Sequence, residues 1–203
     1  MRRYVAGFII GAVAAVSILM FAGIRVDARA DELESWYAYI EVVCEQKDIC
    51  PEFVQALIEQ ESNWKPDARN GDCVGLMQIS ERWHVDRMER LGAEKLTDPY
   101  DNILTGVDYL YELFCRYEDP AMVLMLYNGD SRAWNYWETG EMSEYARKIL
   151  ERAEELERRK NGIKENYTGA GLYGTPGRKE SLCDTRSGSF HHADGLADRK
   201  SCR

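Results

Sequence analysis

Histidine is scarce in this 203-residue chain: there are three, His84, His191 and His192, and no Cys-x-x-Cys occurs. That stock assembles neither a zinc site nor a thiol redox pair, and no cofactor or metal is expected. Alternating strand patterns are missing too, and no repeat period is visible. Positive charge is short as well: residues 31–150 hold 25 Asp and Glu against 11 Lys and Arg, a net of −14, while residues 151–203 hold 9 against 11, a net of +2. An acidic surface repels phosphate backbones, so nucleic acid is excluded as a partner. The run Gly169-Ala170-Gly171-Leu172-Tyr173-Gly174 matches a dinucleotide fingerprint in letters alone, because no strand pattern precedes it and no helix pattern follows.

What is present, first, is a long apolar run. Tyr4 to Ile24 is interrupted by one polar residue, Ser17, and preceded by Arg2 and Arg3. As a helix it reaches about 30 Å, enough to span a bilayer. The arginines favour an N-terminus held inside, so the rest of the chain is expected to be extracytoplasmic. Ala28-Arg29-Ala30 has the form of a signal-peptidase site, so residues 1–30 are read as an uncleaved membrane anchor, with a cleaved signal peptide as the alternative. Residues 31–160 form the single expected domain, and residues 161–203, rich in Gly, Ser and charge, are expected to be a disordered tail. In an exported chain the six cysteines suggest disulfides, with Cys44–Cys50 the preferred local bridge and Cys73 left to pair with Cys115.

The domain reads as all-α. Asp31 to Gln46 has Trp36, Ile40 and Val43 at helical spacing, and Pro51 opens a second helix that Lys65-Pro66 forbids from continuing. Residues 66–75 are a loop by composition, and a helix over Ser80 to Leu91 follows. Asp98-Pro99 and Asp119-Pro120 each cap a further helix, the second stopping at Asn128-Gly129. The last helix is expected from about Ser143 to Arg159.

The second helix carries the sharpest chemical signal. At 100° per residue with Leu57 at zero, Phe53, Val54, Leu57 and Ile58 fall between about −40° and 100°, and Glu61 falls inside that arc at about 40°. Glu52, Gln55 and Glu59 cluster on the opposite face, which is expected to be solvated. A carboxyl group aimed at the core in the last turn of a helix is disfavoured as an anion by lost hydration and by the negative end of the helix dipole. That suits a general acid. A buried glutamate satisfied by arginine or backbone donors has the same wheel position.

Around this helix the sequence resembles the lytic transglycosylase catalytic domain, glycoside hydrolase family 23. The resemblance covers about Pro51 to Leu150. It rests on Ala56-Leu57-Ile58-Glu59-Gln60-Glu61-Ser62, on Gly75-Leu76-Met77-Gln78-Ile79, on Asp101-Asn102-Ile103 with Gly106, Tyr109 and Leu110, on Tyr127-Asn128, and more weakly on Glu144-Tyr145. The chain departs where the family places a small residue between Asn and Gly, since Asn128 is followed directly by Gly129.

The resemblance implies a lysozyme-like helical fold and cleavage of the MurNAc–GlcNAc β-1,4 bond of peptidoglycan, leaving 1,6-anhydro-MurNAc ends. It implies Glu61 as the catalytic acid and base. Ser62, Met77, Gln78, Tyr127, Asn128 and Tyr145 form the expected substrate-binding set, with Ser62 supporting Glu61 and Met77 and Gln78 lining the groove. Trp64, Trp134 and Trp137 are read as core residues ahead of sugar-stacking ones. The alternatives are a goose-type hydrolytic muramidase, with Asp67, Asp72 or Asp86 placing a water, and a non-catalytic glycan-binding assembly component. Glycan strands are the expected partner, together with the membrane through an uncleaved anchor, and an apparatus for secretion, conjugation or phage infection is a weaker expectation.

Overall fold

A computed structural model of the protein describes residues 29–168, with side chains to residue 162. The apolar segment Tyr4 to Ile24 and the chain beyond Thr168 lie outside the described residues. Among the described residues no helix is long and apolar enough to cross a membrane. Contacts divide the chain into two units, Met1–Tyr39 and Ile40–Arg203. The described part of the first is helical and begins α1, residues 29–47; Trp36, Ile40 and Val43 are all buried, as their spacing predicts.

The second unit is mostly helical. Helices α2 (Pro51–Ser62), α4 (Pro99–Tyr117) and α5 (Pro120–Tyr127) each open on proline at the first helical position, where its missing N–H costs nothing. Asp98 accepts from Tyr100 N and Asp101 N at 2.9 and 3.2 Å, and Asp119 from Met122 N at 2.9 Å, so both expected caps are made. Helix α3 (Glu81–Leu91) ends on Gly92 in the left-handed conformation. Helix α5 is apolar around almost its whole circumference and is the innermost helix, with Ala121 to Met125 buried and α4 and α7 packed against it.

Three features depart from the expected all-α outline. A three-stranded antiparallel sheet, β1 (Arg69–Asn70), β2 (Cys73–Val74) and β3 (Ile79–Ser80), is folded into the loop after α2. Strands of two residues are too short to show alternation in the sequence. A 3-10 turn over Ser131–Asn135 and a short helix α6 (Tyr136–Thr139) follow α5. Helix α7 runs from Glu144 to Thr168, past Arg159, where the apolar spacing ends. Pairs such as Arg147–Glu151, Arg158–Glu154 and Arg159–Glu155 line its exposed side and support helix without an apolar stripe.

The cysteines do not follow the preferred pairing. Cys44 is buried, Cys50 is exposed, and both are free thiols. Cys50 Sγ lies 3.3 Å from Glu52 Oε2 and donates to it rather than bonding Cys44. Cys73 and Cys115 are each disulfide-bonded.

Candidate active site

Glu61 stands in the last turn of α2, and the chain leaves that turn abruptly. Asn63 and Trp64 are both left-handed, with φ of 49° and 60°. Two such non-glycine residues in succession cost on the order of 1–2 kcal/mol each, and burial of the Trp64 ring holds the turn. Trp64 is therefore a core residue, as expected. The sharp exit leaves Glu61 half-buried instead of covered by a further helical turn.

Helix α7 runs antiparallel along α2 and supplies partners to three acids in succession. Lys160 Nζ is 2.7 Å from Glu52 Oε1, Arg152 meets Glu59 through two hydrogen bonds of 2.6 and 2.9 Å, and the Tyr145 hydroxyl donates to Glu61 Oε1. This corrects the wheel: the face of Glu52 and Glu59 is not solvated, because α7 covers it, and Glu52 is buried. Burial would raise the Glu52 carboxyl, but the hydrogen bond and charge of Lys160 hold it below its ordinary value. Of the basic side chains of α7, Lys160 and Arg152 thus reach Glu52 and Glu59, and the Tyr145 phenol reaches Glu61. A cavity of about 260 Å³ along the same α2–α7 seam is lined by Glu59, Gln60, Asn63, Lys148 and Arg152 and does not include Glu61.

The second wall of the site is the loop Gly75–Ile79, and α4 explains its shape. Asn102 Oδ1 accepts from Met77 N at 2.7 Å, while its Nδ2 donates to Val74 O and Leu96 O at 2.8 and 2.9 Å. Gly75 has φ of 83°, and a Cβ there would lie 2.2 Å from Asn102 Nδ2. One turn along α4, a Cβ on Gly106 would lie 2.4 Å from Met77 Sδ. One turn further, the Tyr109 ring sits 5.3 Å from that of Tyr127. Asn102, Gly106 and Tyr109 recur at positions i, i+4 and i+7, so a single face of α4 holds the loop, admits Met77 and backs Tyr127.

The residues expected to bind substrate distribute unevenly. Tyr127, at the end of α5, donates its hydroxyl to Met77 O at 2.7 Å, and loss of solvent, the Glu61 carboxylate and Tyr109 push its phenol well above the ordinary value. It stays protonated beside Glu61. Tyr145 touches Glu61 directly. Met77, expected to line the groove, has a fully buried side chain against Gly106 and reaches the site through its carbonyl. Gln78, with φ of 49°, donates Nε2 to Ala68 O and Gly75 O at 3.1 and 2.8 Å and so locks the loop. Ser62 Oγ donates to Ile58 O at 3.2 Å within α2, a local bond in place of the expected support for Glu61. Asn128 is the C-cap of α5 and half-buried.

Behind Tyr109 lies a charged cluster that the sequence reading did not single out. Buried Arg87 pairs with Asp108 and Glu112 and sits over the Tyr109 ring, 5.3 Å from its centroid. Arg90 and Lys47 reach Asp108 at 2.8 and 3.1 Å. Burial works to raise the Asp108 carboxyl, but these three cations bring it to about 2. His84 breaks the helical backbone of α3, accepts from Arg87 Nε at 3.3 Å and lies 4.6 Å from the Tyr109 ring.

A helix-terminal glutamate, a glycine-led loop and a tyrosine at the end of the innermost helix define a mostly helical domain of the lysozyme-like kind. The structure superposes with TM-score 0.50 on an inactive mutant of the lytic transglycosylase Slt from Pseudomonas aeruginosa, at 18% identity, covering 66% of this chain and 24% of that one. Residues 38–150 match the family described as the Transglycosylase SLT domain, and this chain belongs to that family. Among curated proteins it is 34% identical over 84 residues to the membrane-bound lytic murein transglycosylase F of Maricaulis maris (strain MCS10), covering 41% of this chain and 16% of that protein. It is 28% identical over 102 residues to the transglycosylase of Enterobacteria phage PRD1, covering 50% of this chain and 37% of the phage protein. The chain thus spans well under half the length of each of these relatives.

Proposed function

We propose that the protein is a peptidoglycan lytic transglycosylase that cleaves the MurNAc–GlcNAc β-1,4 bond and leaves a 1,6-anhydro-MurNAc end, with Glu61 as acid and then base. The observation that carries this reading is the partnering of three acids along α2: α7 neutralises Glu52 and Glu59 with Lys160 and Arg152 and gives Glu61 a tyrosine hydroxyl. A phenol donating to one oxygen orients the carboxyl group for proton transfer. Family membership and the two curated relatives, each called a transglycosylase, support the same conclusion.

The proposed chemistry needs one carboxyl group. Glu61 gives its proton to the glycosidic oxygen as the bond from C1 breaks, and GlcNAc leaves with the proton. The resulting carboxylate takes the proton of the muramyl C6 hydroxyl while that oxygen bonds to C1. Glu61 is restored and no water is consumed. Tyr145 orients the carboxyl group, Tyr127 lies near it with its hydroxyl on the Met77 carbonyl, and the loop stapled by Asn102 supplies the opposite wall.

A hydrolytic muramidase of the goose type requires a second acid for water. Asp67, Asp72 and Asp86 are all solvent-exposed, which favours the reading without water. Mass analysis of digested sacculi separates the two: anhydro-muramic ends are expected, and reducing ends in their place would overturn the transglycosylase reading. Run on Glu61→Gln, the same assay is expected to show no products while the variant still sediments with sacculi; unchanged lysis would move the acid elsewhere. Action outside the cytoplasm follows from the wall substrate and from Tyr4–Ile24 as anchor or signal, and the phage relative makes local opening of the wall for an infection or transfer apparatus the associated role.

A further inference from the structure

Two tryptophans expected in the core are at the surface. Trp137 is 61% exposed and Trp134 is 46% exposed, whereas Trp64 is 7% exposed. Both belong to the short lobe that follows Asn128 and precedes Tyr145, so its two stems are the end of the Tyr127 helix and the residue that donates to Glu61. We propose that this lobe, Ser131–Thr139, is a second glycan-binding platform, with Trp137 as the stacking surface for a pyranose ring lying along the strand from the cleaved bond. The inference rests on the glycan-cleaving reading of Glu61.

The lobe is built to hold its rings in place. Asp130 accepts from Arg132 N at 3.0 Å and pairs with the Arg132 guanidinium at 2.7 Å, Ala133 is fully buried beneath it, and Gly140 ends α6 at φ of 67°. Trp134 packs edge-on against Tyr117 with centroids 6.2 Å apart, and Tyr136, hydrogen-bonded to Asp119, lies 5.8 Å from Trp137. Thr139 Oγ1 donates to Asn135 O at 3.0 Å. Two exposed indoles three residues apart, with Tyr136 against one of them, offer an aromatic surface of the kind that marks binding sites.

The chemistry of the rim selects the occupant. Exposed Asn135, Glu138 and Thr139 flank the two tryptophans in the chain, and Asp130, Glu138 and Glu141 outnumber the lobe's one cation, Arg132, which is already paired. An anionic lipid surface would be repelled. A pyranose offers an apolar C–H face to the indole and hydroxyl edges to the polar rim, and it carries no charge there. In the chain the lobe joins Tyr127 to Tyr145, the two tyrosines that stand near Glu61.

The test uses the full chain carrying Glu61→Gln, so that ligand is bound and not consumed, and titrates chito-oligosaccharides from dimer to hexamer with tryptophan fluorescence as readout. Trp137→Ala is expected to weaken hexamer binding by roughly tenfold and leave the dimer unchanged, while Trp137→Phe keeps most of the affinity. Equal affinity of the Ala variant at every length overturns the platform, and so does loss of self-association on sedimentation with glycan affinity intact, which would assign the lobe to a second copy. Failure of the parent to bind any oligomer, together with no lysis of sacculi by the wild type, instead removes the reading of Glu61 itself.

Discussion

The hydroxyl of Tyr145 and the carboxyl of Glu61 are 84 residues apart in the chain, and their hydrogen bond is the point where sequence and chemistry meet. Glu61→Gln keeps the shape and removes the transferable proton, so turnover is expected to fall by about a thousandfold with glycan binding retained. Tyr145→Phe removes one orienting donor. It is expected to lower kcat by roughly tenfold with KM little changed, and a rise in KM alone would make Tyr145 a binding group. The free thiols give a separate check on the packing. Burial, followed by the neighbouring charge of Cys50, pushes the Cys44 thiol up to about 12, and Cys50 is raised less and exposed. In unreduced native protein Cys50 is therefore expected to react with a thiol reagent first, and Cys44 only on unfolding. At this scale the helical wheel puts Glu61 on the face that Phe53, Val54, Leu57 and Ile58 define, all four buried, and the family resemblance adds the proposed role. The wheel cannot find Tyr145, or the burial of Glu52, since both depend on a helix far along the chain.

Helix α4 acts as the scaffold on which the glycine-led loop is cast. Asn102→Ala would leave Met77 N–H and the carbonyls of Val74 and Leu96 without their partner. A loss of about 3 kcal/mol is expected in urea unfolding, with turnover reduced in the fraction that remains folded. Gly106→Ala would drive Met77 out of its seat and is expected to lower turnover more than stability, since the Met77 carbonyl that holds Tyr127 would move with it. If Gly106→Ala retains full activity, the close seating of Met77 is not needed for the reaction. Capping residues make most element boundaries legible: prolines 51, 99 and 120 and aspartates 98 and 119 open the helices they predict. The two-residue strands and the lobe after Asn128 escape because neither is long enough to establish a period. Asn102, Gly106 and Tyr109 are legible in the sequence through the family resemblance, and as a polar residue, a glycine and an aromatic they share one helical face.

Across the whole domain, the net negative charge gathers cations where it is buried. Asp108 takes Lys47, Arg87 and Arg90, and its carboxyl is held near 2 from an ordinary 3.8. The folded state therefore binds its proton less readily than the unfolded chain. The resulting stability, about 2 kcal/mol, is present in full above pH about 4 and disappears as the pH falls through about 2. Asp108→Asn is expected to unfold more easily at neutral pH and to lose less stability on acidification; a parallel acid limb in the two proteins would place the sensitive group elsewhere. The sequence conveys the acidity of the domain but not this arrangement, because Asp108 lies among the apolar positions of α4 and its partners come from two other helices, α1 and α3.

Helix α7 clasps α2 at Glu61, Glu59 and Glu52, yet it is the last described element to be synthesised. A chain made from its N-terminus therefore carries Glu61 without its Tyr145 donor until α7 has been added. On the proposed reading of Glu61, glycan cleavage would then wait on the complete domain, by the order of synthesis itself and without an inhibitor.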